Sequence, residues 1–339
     1  ALAAPAAAAL GHRPHRRRGR LAGSRCGSRR TVPTTGRLSR RMAIDLSILI
    51  VSYNTHAQTL ACLDSIFRQA PAGAVEVIVV DNASSDGSAD AIAARWPGTT
   101  LIRSARNLGF AAANNLAATQ ARGRMLLLLN PDTVLHDRCL QYAVGFADRM
   151  GPKSIVGGRT FFADGSLDPA SCHGKPGLWS LFCAASGLMS LFRNTRLFDP
   201  ESLGRWARDT VREVDIVSGC FLLIHRDFWQ RLGGFDPAFF MYGEDADLCA
   251  RARAAGGRCV ICPDATLVHH GGASEPVRAD KLVRLFSAKA QLFRKHWTPG
   301  KAWLGVLALD AWAATRTVAC ALLGLVRPRS RRSMHEWAD

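Results

Sequence analysis

Polar side chains follow three strongly apolar segments of this chain, at the point where each segment ends. These endings are Ser52-Tyr53-Asn54, Asp81-Asn82 and Asn130-Pro131-Asp132. Hard divalent cations take several oxygen ligands, so the carboxylate and amide at 130–132 form only part of a metal site, which a bound nucleotide diphosphate would complete. The simpler interpretation of each ending is a turn followed by a helix cap.

A second group of carboxylates stands in the segment GEDADLCARA, which is predicted to begin a helix near Gly243. Asp245 falls on the same helical face as Leu248, which places it on the apolar side, where a catalytic base is a reasonable role. Asp247 precedes Arg251 at the i, i+4 spacing of a helical ion pair. We therefore predict a structural ion pair for Asp247 and the role of catalytic base for Asp245.

Two glycine-containing segments carry further candidates. In RNLGFAAANN (106–115), Gly109 and the small residues after it allow either close approach of the backbone to a ligand or tight packing of a helix on a sheet. The segment is not a GxGxxG motif, so it does not favour dinucleotide binding. In VHHGGAS (268–274), two histidines precede a Gly-Gly turn and offer a metal ligand, although a histidine by itself is more often structural.

Strand-like and helix-like segments alternate along the first half of the chain. Strands are predicted over 46–54, 75–82, 99–105 and 124–132, and helices over 55–69, 86–95, 109–121 and 137–149. This alternation predicts an α/β fold with a mostly parallel central sheet and helices on both faces. Ligands of such sheets bind beyond the carboxyl ends of the strands, so the three polar endings are expected at one rim.

The second half of the chain is less regular. Residues 151–213 show no clear pattern and are left unassigned, as a stretch that would suit acceptor-binding loops. A strand and a short helix are predicted over 214–235, strand and loop over 258–274, and a basic amphipathic helix over 278–296. Cys259 and Cys262 have CxxC spacing without a second pair, and in a strand they would face opposite ways, which favours core packing over zinc binding.

The net charge of +17 is concentrated at the two ends of the chain. Residues 1–42 carry eleven arginines and no acidic residue, and residues 327–339 carry four arginines against two acidic residues. We expect 1–42 to be a disordered basic segment that is not native, with the native protein starting at Met42. The ten scattered cysteines suggest reduced thiols in a cytosolic compartment.

The apolar segment 302–326 is long enough to cross a bilayer, but Asp310 and Arg316 interrupt it. Trp303, Trp312 and the arginines after 326 suit a helix that lies on an anionic membrane surface. An ordinary helix packed on the domain is the alternative. We predict membrane contact for 299–339, a membrane-associating helix followed by a basic tail.

Taken in order, the motifs VSYN, VDNASSDGS, NLGFAAANN, LLLLNPD, SGCFLLIHRDFWQRLGGFDPAFFMYGEDADL and VHHGGAS resemble the GT-A type glycosyltransferases of family 2. Within that family they resemble the bacterial rhamnosyltransferase-like branch. The resemblance runs from about Leu46 to Arg294 and implies a GT-A domain over 43–298. Asn130 stands where the metal-binding DxD motif of the family has its first Asp, as is usual in this branch.

The resemblance also implies roles for individual residues. Asp132 and His269 would be metal ligands, Asp245 the general base, and Glu244 a residue that positions acceptor or donor. Asp81 would hydrogen-bond the nucleotide base. The implied donor-binding residues, all within the matched motifs, are Ser52, Tyr53, Asn54, Asp81, Asn107, Gly109, Asn114 and Gly219.

The implied enzyme is an inverting hexosyltransferase that uses Mg²⁺ or Mn²⁺ and an NDP-sugar, with dTDP-rhamnose as the leading donor. The implied acceptor is a glycan or a polyprenyl-diphosphate-linked glycan in the synthesis of cell-envelope polysaccharide. The protein would then be cytoplasmic and peripheral on the inner face of the bacterial plasma membrane.

Three alternatives stay open from the residues alone. A sugar nucleotidyltransferase would share a related core, but VSYNTHAQT has neither the glycine nor the basic residues of its phosphate-binding loop. A nucleic-acid-binding protein is suggested by the net charge, although that charge lies in the ends and no aromatic–basic recognition motif appears. The third is a non-catalytic sugar-binding scaffold, against which the intact Asp132, Asp245 and His269 argue.

Overall fold

The computed structural model describes residues 44–69, 74–271 and 278–326. The predicted disordered segment 1–42 and the basic tail 327–339 lie outside the described residues. The strands are β1 (Leu46–Ser52), β2 (Val75–Asp81), β3 (Thr100–Arg103), β4 (Met125–Leu129), β5 (Thr133–Leu135), β6 (Ser154–Phe161), β7 (Cys172–His173), β8 (Arg212–Val214), β9 (Ile216–Val217), β10 (Phe221–His225) and β11 (Arg258–His269). The helices are α1 (His56–Phe67), α2 (Ser88–Arg95), α3 (Gly109–Gln120), α4 (Cys139–Met150), α5 (Leu178–Ala185), α6 (Leu188–Leu191), α7 (Arg226–Leu232), α8 (Glu244–Ala254), α9 (Arg278–His296) and α10 (Pro299–Val326).

The strands form one large sheet in the order β3-β2-β1-β4-β10-β6-β11-β5, with β8 paired to β11. The first four strands in this order (β3, β2, β1 and β4) run parallel to one another, and β6 runs parallel to β11. Strand β10 lies antiparallel between β4 and β6. The predicted α/β fold with helices on both faces is confirmed, and the antiparallel insertion of β10 is the feature that the alternation pattern did not contain.

Two cores lie on opposite faces of the sheet, because successive strand side chains point to opposite sides. Helices α1, α2 and α4 cover one core, and α3, α7 and α8 cover the other. Every residue of β1 and β4 is buried, which explains why these strands appear in the sequence as uninterrupted apolar runs. Cys259 packs in one core and Cys262 in the other, as their strand spacing predicted.

The unassigned segment 151–213 contains the long strand β6, the short strand β7 and the helices α5 and α6. Its side chains do not alternate cleanly, because β6 is buried over most of its length and the following loops carry few apolar repeats. Helix α9 begins and ends where the amphipathic pattern predicted, at 278 and 296.

Helix α10 has 28 residues, of which Ala302 and Leu309 pack against Leu181 of α5 and Phe293 of α9. Within the described ranges, no helix combines the length and the apolar character that crossing a bilayer requires. The opposite side of α10 exposes large apolar residues: Trp303, Leu304, Leu307, Val318 and Leu322.

Candidate active site

One rim of the sheet gathers most of the predicted site residues. Strands β1, β2 and β4 run parallel and in register, so their carboxyl ends reach the same edge. Strand β10 is antiparallel to β4 and begins at this edge, and the amide of Asn130 there donates to the carbonyl of Cys220. We call this edge the C-terminal rim; it carries 52–54, 81–82, 130–132 and 219–220.

Asp81 ends β2 with one carboxylate oxygen buried and without a partner. The side chain is buried, and Oδ1 has no hydrogen-bond partner, whereas Oδ2 accepts from the amide of Ser84 at 3.3 Å. A buried acceptor without a donor is costly in an isolated protein. The free oxygen therefore suits a ligand that donates a hydrogen bond, as a nucleotide base does.

The loops after β1 and β2 are joined by Asn54. Its amide donates to Ser84 Oγ at 3.0 Å, and its side-chain Oδ1 accepts from the amide of Ser85 at 2.8 Å. Asn54 has a φ of 50°, a left-handed backbone conformation that Asn adopts more readily than most residues. The exposed Asn54 thus shapes the rim beside Asp81, with Tyr53 half-buried next to it.

The loop before α3 is built around Asn82, Asn107 and Gly109. Asn82 Nδ2 donates to Asn107 Oδ1 at 2.9 Å, and its Oδ1 accepts from the amide of Leu108 at 2.8 Å. Gly109 has a φ of 78°, and a Cβ at this position would lie 2.4 Å from the carbonyl oxygen of Phe240. Gly109 is therefore required by the close approach of the Phe240 backbone as well as by its own conformation.

Two of the predicted donor-binding side chains bond within the protein. Ser52 Oγ lies 2.9 Å from Thr59 Oγ1 and 3.2 Å from Thr55 Oγ1, inside the start of α1. Asn114 Nδ2 donates to the carbonyl of Phe110 at 2.9 Å, one turn earlier in α3. Both side chains are buried, so the structure places them behind the rim as supports rather than on its surface.

Asp132 and His269 are brought together by the pairing of β5 with β11. His269 lies opposite Thr133, and the amide of His270 donates to the carbonyl of Asp132 at 3.0 Å. His269 Nε2 lies 3.6 Å from Asp132 Oδ1, and Nδ1 lies 3.0 Å from Asp168 Oδ2. His270, the other histidine of the motif, is exposed.

This pair fits a divalent cation as a partial site. An imidazole nitrogen and a carboxylate oxygen face each other, and both are ligand types that Mn²⁺ accepts. Among the described residues, no group of three or more His, Cys, Asp or Glu side chains is arranged to hold a metal ion. The remaining ligands would therefore come from a bound diphosphate and water, as is usual for Mg²⁺-type sites.

The charges around His269 act on its protonation. Burial lowers the pKa of His269, but the hydrogen bond to Asp168 and the charges of Asp132 and Asp168 outweigh burial and leave the pKa above its ordinary value. The charges of Asp132, Asp168 and Asp245 also act on the buried Cys220. Burial raises the pKa of the Cys220 thiol to about 12, and the three carboxylates contribute to this shift. Because Asp245 accepts a hydrogen bond from Gly219 and the amide of Asn130 donates to Cys220, the candidate base and the candidate metal ligand Asp132 lie at the same rim.

Asp245 is held at the first turn of α8 by two backbone amides. The amide of Gly219 donates to Oδ2 at 3.1 Å, and the amide of Ala246 donates to Oδ1 at 2.7 Å. Burial nevertheless raises the pKa of Asp245 above its ordinary value, because it outweighs these two hydrogen bonds. A positioned carboxylate with a raised pKa is a stronger base than a solvated one.

Glu244 precedes Asp245 and is 5% exposed. Its Oε2 is buried without a hydrogen-bond partner. Burial, together with the charge of Asp245, raises the pKa of Glu244 well above its ordinary value. Two adjacent buried carboxyls do not both ionise readily, and burial and the neighbouring charge make Glu244 hold a proton more tightly than Asp245 does.

The sequence matches the family model described as "Glycosyltransferase like family 2" over residues 44–295, which is most of the chain. The chain belongs to glycosyltransferase family 2. The site residues above all lie inside the matched range.

Curated relatives of this glycosyltransferase share modest identity with it. An uncharacterized protein of Sinorhizobium fredii, y4gI, is 30% identical over 67% of this chain, which spans only 24% of that protein. The N-acetylglucosaminyl-diphospho-decaprenol L-rhamnosyltransferase of Mycobacterium tuberculosis is 27% identical over 66% of this chain and 76% of its own length. The rhamnosyltransferase WbbL of Escherichia coli is 30% identical over 48% of this chain and 61% of its own length.

Solved structures share the GT-A-like fold of this glycosyltransferase. The mannosyltransferase PcManGT of Pyrobaculum calidifontis, in complex with GDP-Man and Mn²⁺, has a TM-score of 0.53 and 21% identity, covering 86% of this chain and 84% of its own. GalNAc-T7 with UDP, GalNAc and Mn²⁺ has a TM-score of 0.52 and 16% identity, covering 67% of this chain and 43% of its own. At these identities the likeness establishes the fold.

Asp247 is a structural anchor of this glycosyltransferase, as its spacing predicted. It is fully buried, and its Oδ2 accepts from Arg251 Nε at 2.8 Å. Its Oδ1 lies 2.7 Å from Lys295 Nζ and 2.8 Å from His296 Nε2, both on α9. Burial opposes ionisation, but these partners outweigh it and lower the pKa of Asp247 below its ordinary value. Asp247 therefore ties α8 to α9.

Sequence reasoning named Asn82 only as part of the polar ending of β2, and it missed two further residues near the site, Asp168 and His173. Asn82 was visible at the end of β2, and its buried amide joins two loops. Asp168 and His173 lie in the unassigned segment, where no pattern in the sequence pointed to them. Burial lowers the pKa of His173, while the charges of Asp245 and Glu201 act in the opposite direction.

Proposed function

We propose that this protein is an inverting hexosyltransferase that moves rhamnose from dTDP-rhamnose to a lipid-linked glycan. The single observation that carries the proposal is the setting of Asp245. This carboxylate is fixed by the amides of Gly219 and Ala246 at the same rim as Asp132 and His269. A base and a cation-binding pair at one rim match the two needs of a glycosyl transfer, which are removal of the acceptor proton and stabilisation of the departing nucleotide.

Each residue has a defined task in the proposed reaction. Asp81 accepts a hydrogen bond from the nucleotide base through its free Oδ1. Asp132 and His269 would hold Mg²⁺ or Mn²⁺, and the cation would supply positive charge that stabilises the departing nucleoside diphosphate. Asp245 removes the proton from an acceptor hydroxyl, which attacks the anomeric carbon from the face opposite the nucleotide. Because the proposal contains one base and no enzyme nucleophile, the anomeric configuration inverts.

Glu244 has an indirect task in this proposal. Its protonated carboxyl lies next to Asp245 and has one free oxygen. A neutral carboxyl donates as well as accepts hydrogen bonds, so it is suited to position a sugar hydroxyl. We assign it to positioning of acceptor or donor.

The donor and acceptor classes rest on named relatives. The Mycobacterium tuberculosis relative is named for rhamnose transfer to N-acetylglucosaminyl-diphospho-decaprenol, and the Escherichia coli relative is named a rhamnosyltransferase. A protein of Myxococcus xanthus that is 30% identical over 69% of this chain is named for O-antigen biosynthesis. These names support a role in cell-envelope polysaccharide synthesis.

The acceptor proposal includes peripheral contact with an anionic membrane surface. Helix α10 exposes an apolar stripe: Trp303, Leu304, Leu307, Ala311, Ala314, Val318 and Leu322. From 304 to 322 this stripe extends about 27 Å along the helix. A helix with one apolar face and flanking basic residues suits insertion in the plane of a bilayer interface.

A second exposed apolar surface supports the same contact. The α5–α6 patch is Trp179, Phe182, Leu191, Phe192 and Leu197, each 46–77% exposed. Arg193 and Arg196 are exposed beside it, and no acidic residue occurs between 178 and 198. Apolar and basic side chains together match anionic headgroups over acyl chains.

The experiment that tests the proposed function measures transfer from a panel of NDP-sugars to polyprenyl-diphospho-N-acetylglucosamine, with and without Mn²⁺. We expect metal-dependent transfer from dTDP-rhamnose in preference to UDP- and GDP-sugars, with inversion seen by NMR. Formation of an NDP-sugar from a nucleoside triphosphate and a sugar phosphate would instead establish a nucleotidyltransferase. Folded protein that binds no donor would contradict the proposal.

A further inference from the structure

Three hydrogen bonds hold Asp168 in place, in addition to its contact with His269. Its amide donates to the carbonyl of Thr160 on β6, and its carbonyl accepts from Thr160 Oγ1, both at 3.0 Å. Its Oδ1 accepts from the amide of Ala170 at 2.9 Å, capping a short 3-10 turn. The residue is 2% exposed. The carboxylate therefore has one remaining oxygen, Oδ2, and this oxygen lies 3.0 Å from His269 Nδ1.

This contact determines which nitrogen of His269 carries the proton. An ionised carboxylate only accepts hydrogen bonds, so Nδ1 must donate and must hold a hydrogen. In the neutral ring, Nε2 then has a free lone pair. Nε2 is the nitrogen that faces Asp132 Oδ1, at 3.6 Å. The lone pair therefore points to the place where the proposed cation would lie.

We propose that Asp168 is a positioning residue that keeps His269 in the Nδ1–H form and in the orientation of a metal ligand. The inference rests on the proposed function, since it concerns the metal site of the same reaction. Histidine ligands of metals commonly donate their other N–H to a carboxylate, and loss of that partner typically costs ~10–100-fold in metal affinity. Asp168 contacts neither the cation nor the substrate in this arrangement, and it acts through the imidazole.

Asp168→Asn separates this role from a purely structural one. The Asn side chain keeps an Oδ1 that accepts from Ala170 and preserves the cap. Its Nδ2 replaces the oxygen that faces His269 and donates to Nδ1, which must then present its lone pair. The proton moves to Nε2, where it blocks a metal. The backbone hydrogen bonds to Thr160 stay unchanged, so the variant is expected to fold.

Asp164→Asn is the matched control. Asp164 lies in the same segment, and its Oδ1 accepts from the amide of Ser166 at 2.9 Å, the same turn geometry that Asp168 makes with Ala170. Asp164 is exposed, and its Oδ1 also accepts a hydrogen bond from Ser166 Oγ. This control therefore alters an equivalent turn without altering an imidazole.

Two measurements on the full chain decide the inference. Nitrogen-15 NMR of the histidine rings, without metal and at a pH where the rings are neutral, reports the tautomer of His269, with His269→Gln used for assignment. Electron paramagnetic resonance of free Mn²⁺ reports metal affinity in the presence of dTDP. We expect Nε2 of His269 to be unprotonated in wild type and in Asp164→Asn, and protonated in Asp168→Asn with at least ~10-fold weaker Mn²⁺ binding.

The outcomes separate this inference from the proposed function. An unchanged His269 tautomer and unchanged Mn²⁺ affinity in Asp168→Asn, with wild type binding Mn²⁺ and transferring sugar, would overturn the role of Asp168 and leave the function intact. Wild-type protein that binds no Mn²⁺ would overturn the inference too, and its transfer activity would then decide the function separately. Equal losses in Asp168→Asn and Asp164→Asn would show a structural effect of the turns and would also overturn it.

Discussion

The amide of Gly219 donates a 3.1 Å hydrogen bond to Oδ2 of Asp245, residues that are 26 positions apart in the chain. The contact joins the loop before β10 to the first turn of α8. It fixes the orientation of the candidate base from a loop that leads directly into the central sheet. Gly219 was predicted to bind the donor, and the structure gives its backbone this positioning contact.

Asp245→Asn is expected to reduce the rate of transfer by at least ~10²-fold, because an amide cannot accept the proton of the acceptor hydroxyl. Donor affinity should stay within about threefold of wild type, since Asp245 is not placed at the nucleotide. Steady-state kinetics and calorimetry with dTDP test the two parts. The exposed Asp264→Asn is the control, and transfer by Asp245→Asn at a wild-type rate would refute the assignment.

The rate of transfer should depend on pH through the raised pKa of Asp245. The base acts in its ionised form, so the rate is lost as the pH falls through that pKa. Because burial raises the pKa above the ordinary value of an aspartate, the acid limb should appear at a higher pH than for a solvated carboxylate. A profile of kcat/KM against pH measures the limb, and a limb in the ordinary aspartate range would contradict the prediction.

Asp132→Ala and His269→Ala should each abolish the Mn²⁺-dependent part of transfer. Each variant removes one of the two candidate metal ligands, whose His269 Nε2 and Asp132 Oδ1 atoms lie 3.6 Å apart. Titration of activity with Mn²⁺ provides the measurement. His270→Ala is the matched control, because His270 is adjacent but exposed and should titrate as wild type does. An unchanged titration in Asp132→Ala would remove this residue from the metal site.

The free energy of unfolding of Glu244→Gln should increase relative to that of wild type as the pH rises. The folded state raises the pKa of Glu244, so the folded protein binds this proton more tightly than the unfolded chain does. Stability from this group is complete below the unfolded pKa and is lost as the pH rises through the folded pKa. Gln has no proton to lose, so its advantage should grow between pH 5 and 8 to on the order of 1 kcal/mol.

Thermal unfolding of wild type and Glu244→Gln across that range measures the effect. Asp247→Asn is the contrasting variant. The pKa of Asp247 is lowered by its partners, so its contribution is present above the unfolded pKa and is lost as the pH falls. Asp247→Asn should therefore destabilise the protein at neutral pH, and a neutral effect of both changes would contradict the two charge assignments.

The double variant Leu304→Gln/Leu307→Gln should bind more weakly than wild type to vesicles that contain phosphatidylglycerol. These side chains are 45% and 51% exposed on α10 and would lose apolar contact with the acyl region. Vesicle co-sedimentation measures the partition. Val211→Gln, an exposed apolar residue in another part of the domain, is the control. Equal binding of all three proteins to anionic and to neutral vesicles would contradict the proposed membrane contact.

The sequence by itself predicted the α/β fold, the first four strands and the helices between them. Fully buried parallel strands are long apolar runs, and this pattern is local. It also predicted that polar residues follow the apolar runs directly: Asp81 ends β2 as expected, whereas β4 ends at Leu129 and Asp132 lies in the turn after it. The Asp247–Arg251 pair was predicted for the same reason, since both residues stand on one helix.

The tertiary structure decided which residues meet across the chain. The antiparallel insertion of β10, the 3.6 Å approach of His269 to Asp132 and the contact of Asp168 with His269 join segments far apart in sequence. No local pattern encodes such pairings, because strand order and register depend on the packing of all the helices at once. The same holds for Ser52 and Asn114, whose side chains bond inward although their motifs suggested a place in the pocket.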